Sequence, residues 1–233
     1  MKAESGNLEL TQDLPRYIDH TLLAPEATLR DIERLCAEAR ARHFHAVCVH
    51  GSWVVLARDF LGGSDVKVAT VVGFPLGATD SDSKRFETEA AIDNGAHEID
   101  VVLNIGRLKD NDHGYVLREL RDVAEAADER PVKVILETCL LTREEKIRAC
   151  RLAVDSGARF VKTSTGFSSG GATIEDVKLL REIVGEKFGV KAAGGIRDTR
   201  RALAMIEAGA NRLGTSAGIA ILQGHVGVSD DPY

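Results

Sequence analysis

The sequence predicts an α/β fold, a single (β/α)8 barrel of the TIM type, on three observations. Eight short β-rich runs recur along the chain, amphipathic stretches with helical spacing lie between them, and a Gly-Ala step repeatedly joins a stretch to the next run. The length, 233 residues, is close to the ~250 typical of that fold. A doubly wound sheet with fewer strands is the rival architecture.

The β-rich runs are Tyr17 to Leu22, Phe44 to His50, Val66 to Gly73, Glu98 to Asn104, Val132 to Glu137, Arg159 to Ser164, Val190 to Ala193 and Asn211 to Gly214. Between them, helical spacing covers Thr28 to Arg42, Asp80 to Asn94, Gly114 to Ala127, Thr142 to Ser156, Thr173 to Glu186 and Thr199 to Ala208. Thr28, Thr142 and Thr173 read as N-caps, with Glu145 and Asp176 three residues after the latter two as box partners. Gly95, Gly157 and Gly209 close helices, and each is followed by alanine and a new run. A short helix from Ala217 to Leu222 follows the last run. Residues 1–14 form an N-terminal extension and 224–233 a tail that reads as mobile, so 1–233 is expected to be one domain.

Composition narrows the function. With 44% hydrophobic and 28% charged residues the chain suits one sizeable core, and a formal net charge of -6 without basic runs argues against nucleic acid. The N-terminus has no apolar core of a leader and no stretch is long enough for a membrane span, which predicts a cytoplasmic protein. Cys36, Cys48, Cys139 and Cys150 lack C-x-x-C spacing and are expected to be reduced thiols. His43 and His45 flank Phe44 without a third ligand at useful spacing, so neither a metal nor a cofactor is expected.

Chemistry is signalled by two lysines on consecutive runs, Lys162 and Lys191, each followed by a glycine turn. An ammonium inside an apolar strand is costly unless it is paired or loses its proton. A lysine attacks a carbonyl only as the neutral amine, which at an ordinary pKa near 10.4 is about one molecule in 2,500 at pH 7. A second ammonium ~4 Å away, at an effective dielectric of ~20, supplies repulsion of about 4 kcal/mol, the size needed. Alone, either lysine reads as a side chain snorkelling to solvent; the pair points to Schiff-base chemistry. Neighbouring barrel strands feed different layers, so an offset of one residue between the two lysines is expected.

The remaining polar oddities also fall at strand ends that a barrel brings together: Asp19 and Thr21, Cys48, Asp100 and Glu137. Asp100, inside a β-branched run, reads as a proton shuttle, with a structural ion pair as the other reading. Cys48 reads as an inert buried thiol, or a thiolate if cations surround it. The turns at Gly166, Gly194-Gly195 and Gly214, with Ser216, present backbone N–H groups at one barrel end and so an anion site, with Arg197 as a candidate cation.

Five runs, Ile18 to Leu23, Glu98 to Gly106, Lys133 to Thr142, Val161 to Phe167 and Val190 to Arg197, resemble the deoxyribose-phosphate aldolase family in order and over nearly the whole chain. The resemblance implies reversible cleavage of 2-deoxy-D-ribose 5-phosphate to acetaldehyde and D-glyceraldehyde 3-phosphate, without metal. It implies Lys162 as the Schiff-base lysine, Lys191 as the cation that favours its neutral amine, and Asp100 as the carboxylate that moves protons through a water. Gly166, Gly194, Gly195, Gly214 and Ser216 match the phosphate site, and Asp19, Thr21 and Cys48 the substrate pocket. Some members end in a tyrosine that assists proton exchange, as Tyr233 does if it reaches the site, and homodimers are frequent.

This chain departs from the family pattern at His50-Gly51, where a proline is expected close behind, at Phe167 in place of a lysine, and at Ala217 in place of a second serine. Two other classes fit a barrel with an anion site: a sugar-phosphate isomerase without a covalent intermediate, and a barrel that only binds a phosphorylated metabolite.

Overall fold

The computed structural model describes residues 13–224. Eight parallel strands close in sequence order: β1 (Ile18–Thr21), β2 (Ala46–Val49), β3 (Lys67–Val72), β4 (Glu98–Val102), β5 (Val132–Ile135), β6 (Phe160–Lys162), β7 (Gly189–Ala193) and β8 (Arg212–Thr215). The ring is surrounded by α1 (Leu29–Arg42), α2 (Val54–Phe60), α3 (Ser81–Asp93), α4 (Ile105–Lys109), α5 (His113–Ala126), α6 (Arg143–Asp155), α7 (Ile174–Val184), α8 (Thr199–Glu207) and α9 (Gly218–Leu222). The barrel expectation holds and the doubly wound rival falls. Among the described residues no helix is long and apolar enough to cross a membrane. Tyr233, residues 225–233 and residues 1–12 lie outside the described residues.

Local chemistry starts the helices where the sequence places them. The Thr142 N–H donates to Glu145 Oε2 at 2.8 Å while Glu145 N–H donates to Thr142 Oγ1 at 3.2 Å, satisfying two donors that a helix start leaves unpaired. Thr28 behaves similarly, its N–H and hydroxyl both donating to Asp31. Thr173 caps α7 through the Asp176 N–H, but the Asp176 carboxylate does not return to the cap as expected. It accepts instead from Lys146 Nζ at 2.6 Å, because a neighbouring ammonium outcompetes a backbone donor. Gly157 and Gly209, which end α6 and α8, take φ of +90° and +113°, conformations that would strain a side chain.

Between the strands and helices lies the main core, built from residues such as Ile32, Val47, Val68, Ile99, Leu120, Val161, Val190 and Leu213. The barrel interior is divided differently. Leu23, Cys48, Ala69 and Val71, with Phe74 against them, make an apolar wall on the β2–β3 side. The opposite wall, from β4 round to β1, carries charge: Glu98, Asp100, Lys133, Lys162, Lys191, Arg212 and Asp19 are all buried. Outside the barrel the buried Lys84 of α3 donates to the Val102 carbonyl at 2.9 Å and to Glu119 of α5 at 2.7 Å, clamping both helices to the end of β4.

The floor is closed by Phe160, whose ring occupies the space above Gly189; the Arg212 guanidinium carbon lies 5.5 Å from the ring centroid. A Cβ on Gly189 would stand 2.1 Å from Cδ1 of that ring. Gly189→Ala is therefore expected to cost about 1–3 kcal/mol through overpacking. Gly51→Ala, where a Cβ meets nothing within 4 Å, serves as the matched control. Urea unfolding of the two variants checks this, and equal midpoints would show that the floor has room to spare.

Candidate active site

Side chains alternate along a strand, so Glu98 and Asp100 on β4 point the same way, into the barrel. The register then assembles their partners: Asp100 pairs with Lys133, Ile135 with Lys162, Lys162 with Lys191, and Lys191 with Arg212. Lys162 and Lys191 are thus direct register partners, and the one-residue offset expected from the sequence is not present. Strand tilt of ~36° supplies the difference in height that layered packing requires.

The charged wall is one hydrogen-bonded network. Asp100 Oδ2 accepts from Lys162 Nζ at 2.9 Å and from Lys191 Nζ at 2.8 Å, while its Oδ1 accepts from Lys133 Nζ at 2.7 Å. Lys191 also donates to Asp19 Oδ2 at 2.5 Å, and Arg212 bridges Asp19 Oδ1 at 2.9 Å and Glu98 Oε2 at 3.2 Å. Lys133 closes the circuit to Glu98 Oε2 at 2.6 Å, and His45 Nε2 meets Glu98 Oε1 at 3.2 Å. Four cations, Lys133, Lys162, Lys191 and Arg212, thus share three carboxylates, Asp19, Glu98 and Asp100.

Proton affinities follow from this geometry. Burial by itself would raise Asp100, but Lys133, Lys162 and Lys191 override it and hold the carboxyl well below the usual range. Asp19 and Glu98 are likewise lowered, burial being outweighed by Lys191 and Arg212 for the first and mainly by Lys133 for the second. Burial would strip Lys191 of its proton, yet Asp100 and Asp19 raise it above the ordinary lysine value. The second cation required by the sequence reading is therefore present and permanent. It does not act as a bare repelling charge, because the carboxylate it shares with Lys162 stands between them.

Other candidates are brought to the same end of the barrel with different roles. Cys48 is fully buried on the apolar wall, and burial raises its thiol despite Lys191, which removes the thiolate reading. Asp19 is buried as counter-ion to Lys191 and Arg212, and the Thr21 hydroxyl donates to the Asp19 carbonyl at 2.8 Å. Gly194 and Gly195 turn at φ +87° and +73°, and a Cβ on Gly194 would lie 2.9 Å from Gly171 Cα and 3.7 Å from Gly166 Cα, so three glycines let the loops after β6 and β7 meet. Gly214 lies within β8 rather than in a loop, where its missing side chain makes room for Lys191 Cε at 3.1 Å. Ser216 is exposed just after β8.

Sequence reasoning missed Lys133, Glu98 and Arg212, each of which reads as an ordinary charge near the start of a strand. Their parity with Asp100, Ile135 and Gly214 was the available signal. It also missed Ser164, buried with a hydroxyl that has no protein partner among the described residues, and Arg201, whose Nη2 stands 3.6 Å from where a Gly195 Cβ would be. Arg197, the expected cation, is exposed.

The family model described as DeoC/LacD family aldolase matches residues 15–224. A deoxyribose-phosphate aldolase of Thermococcus gammatolerans is 57% identical, over 91% of this chain and 96% of its own length. One of Streptococcus uberis is 58% identical, over 90% of this chain and 95% of its own. Among solved structures, the tetrameric deoxyribose phosphate aldolase from Aeropyrum pernix superimposes with a TM-score of 0.85 at 32% identity, covering 94% of each chain.

The depressed carboxyls tie stability to pH. Asp19, Glu98 and Asp100 bind protons more weakly folded than unfolded, so their stabilisation is complete above the unfolded carboxyl pKa of ~4 and is lost as pH falls below it. Each contributes a slope of up to ~1.4 kcal/mol per pH unit in that window. Urea unfolding between pH 7 and pH 3 should show the decline from about pH 5 downward, shallower in Glu98→Gln; a flat profile would mean that the network is not ionised as described.

Proposed function

The chain belongs to the DeoC/LacD family of aldolases, and on that premise we propose that Lys162 forms the Schiff base through which it cleaves 2-deoxy-D-ribose 5-phosphate reversibly to acetaldehyde and D-glyceraldehyde 3-phosphate. The observation that carries this reading is the meeting of Lys162 and Lys191 on one carboxylate oxygen inside a barrel. Two ammonium groups on one oxygen repel. Lys191 is held by two carboxylates and Lys162 by one, and the less restrained nitrogen, Lys162, is the one we assign as nucleophile.

The steps follow from the positions of the groups. Lys162 Nζ adds to the C1 aldehyde of the open-chain sugar, and loss of water gives the iminium, whose positive charge takes over the contact with Asp100. The C3 hydroxyl then gives up its proton through a water toward Asp100, the C2–C3 bond breaks, and its electron pair flows into the iminium to make an enamine. D-Glyceraldehyde 3-phosphate departs. At that moment the nitrogen loses its charge, one of the cations lowering Asp100 vanishes, and the carboxylate becomes a better base as the proton reaches it. Protonation of the enamine at C2 and hydrolysis release acetaldehyde and restore Lys162.

Support for phosphate recognition comes from the turns at Gly166, Gly194 and Gly195, with Ser216 close behind β8 and Arg201 beside them. Gly214 contributes room for Lys191. Asp19 takes part through Lys191, and Thr21 and Cys48 belong to the wall of the substrate pocket in this reading. This reading places the chain in the cytoplasm as one domain that forms homodimers, with Tyr233 assisting proton exchange from the tail.

Borohydride reduction in the presence of acetaldehyde is expected to fix a two-carbon adduct on Lys162 of the wild-type chain and none in Lys162→Ala, read by peptide mass mapping. Lys191→Leu leaves Asp19 and Asp100 without their shared cation, so Lys162 keeps its proton to higher pH and the trapping profile moves upward. An unmodified wild-type chain would sink the Schiff-base reading in favour of an isomerase or a binding barrel, and an unmoved profile in Lys191→Leu would remove the account of the amine.

A further inference from the structure

Glu137 is placed oddly for a residue that ends a strand. It follows β5 with φ 55° and ψ 63°, a left-handed conformation uncommon for a side chain of its size, and it is buried. Glycine or asparagine would take that backbone more cheaply. What glutamate adds there is a carboxylate; the Cys139 thiol reaches its Oε1 at 4.0 Å, and every closer bond comes from one residue. The Thr165 N–H donates to Oε1 at 3.3 Å and to Oε2 at 3.4 Å, and the Thr165 hydroxyl donates to Oε2.

The consequence passes to the next loop. With its proton committed to Glu137, Thr165 Oγ1 has a lone pair free to accept the Phe167 N–H at 3.0 Å. The two bonds fix the residues on either side of Gly166, which turns at φ +85° with nothing within 4 Å of its missing Cβ, an open face. Gly194 of the next turn packs on Gly166 Cα. The carboxylate makes no ion pair among the described residues; burial raises its proton affinity, while the bonds from Thr165 and, after them, the charge of Lys162 lower it.

We propose that Glu137 is a positioning residue for phosphate recognition: through Thr165 it sets the orientation of the Gly166 turn, and so the affinity for the phosphate end of the substrate, without entering the carbon–carbon chemistry. The inference rests on the reading that the turns after β6 and β7 take the phosphate. A residue needed only for folding would impair every substrate alike. A residue that sets the phosphate turn discriminates between 2-deoxyribose 5-phosphate and 2-deoxyribose, which differ only at that end.

The test is steady-state cleavage of both sugars by the wild-type chain, Glu137→Ala, Glu137→Gln and Thr165→Val, with borohydride trapping of acetaldehyde as a measure of Lys162 that no phosphate touches. Loss of a buried charge-assisted bond predicts a rise in KM for the phosphorylated sugar of roughly tenfold or more in Glu137→Ala and Thr165→Val. The kcat/KM for 2-deoxyribose and the trapping rate should stay within about twofold in Thr165→Val, which keeps the Glu137 charge that Lys162 senses. Glu137→Gln, which keeps an acceptor for Thr165, should recover part of the preference. Should Glu137→Ala not fold, Thr165→Val removes the hydroxyl part of the link, and with it the acceptor for the Phe167 N–H, at nearly constant volume. Equal losses on both sugars, or no loss on either, would overturn the inference. A wild-type chain with no preference for the phosphorylated sugar would instead overturn the phosphate reading on which it rests.

Discussion

Everything at the heart of this molecule depends on one carboxylate buried in the barrel. Asp100 accepts from three lysines, two of them on the same oxygen, and its charge is what allows those lysines to be buried at all. Remove it and three ammonium groups would face each other in a medium of low dielectric, where repulsion at such distances is several kcal/mol per pair. The barrel wall from β4 to β1 is arranged around this constraint. Glu98 and Asp19 carry the balancing charge downward, and Arg212 ties them together beneath.

A network of this kind is weak evidence for stability, since well-packed apolar residues of similar volume often do as well or better. The same barrel shows the alternative on its other side, where Cys48, Ala69 and Val71 fill the equivalent positions of β2 and β3 without a charge. The contrast shows that barrel closure does not by itself require the charges of the ionic wall. Stability is supplied elsewhere, by the layer of Val, Ile and Leu between strands and helices and by the Phe160 floor.

Much of the architecture was legible because it is written in short-range chemistry. Strand and helix periods, the Thr142–Glu145 capping box and the Gly-Ala steps each act within a few residues. Lys162, Lys191 and Asp100 could be found because charge inside an apolar run stands out. Lys133, Glu98 and Arg212 were missed because they sit at strand starts where charge is ordinary; only their parity marks them, and barrel closure turns that end inward against a neighbour. Glu137 was visible as a polar residue at a strand end, but its left-handed backbone and its grip on Thr165 depend on the next strand.

Four cations share three carboxylates on this wall, and the imine reading proposed for Lys162 can be followed through that arrangement. A buried site tolerates one excess charge poorly, so the proton on the least restrained cation is the easiest to lose. Lys162, at 2% exposure and with a single carboxylate contact, is the least restrained of the four and is the nucleophile proposed above. When the iminium forms, positive charge returns to a place already shaped for an ammonium, with Asp100 Oδ2 waiting 2.9 Å from the nitrogen. When the enamine forms, the proton delivered to Asp100 replaces the charge lost from the nitrogen, so the total charge of the site is the same before and after the bond breaks. The charge passes between groups that already share a carboxylate, so the step asks for a proton transfer and not for a new counter-ion.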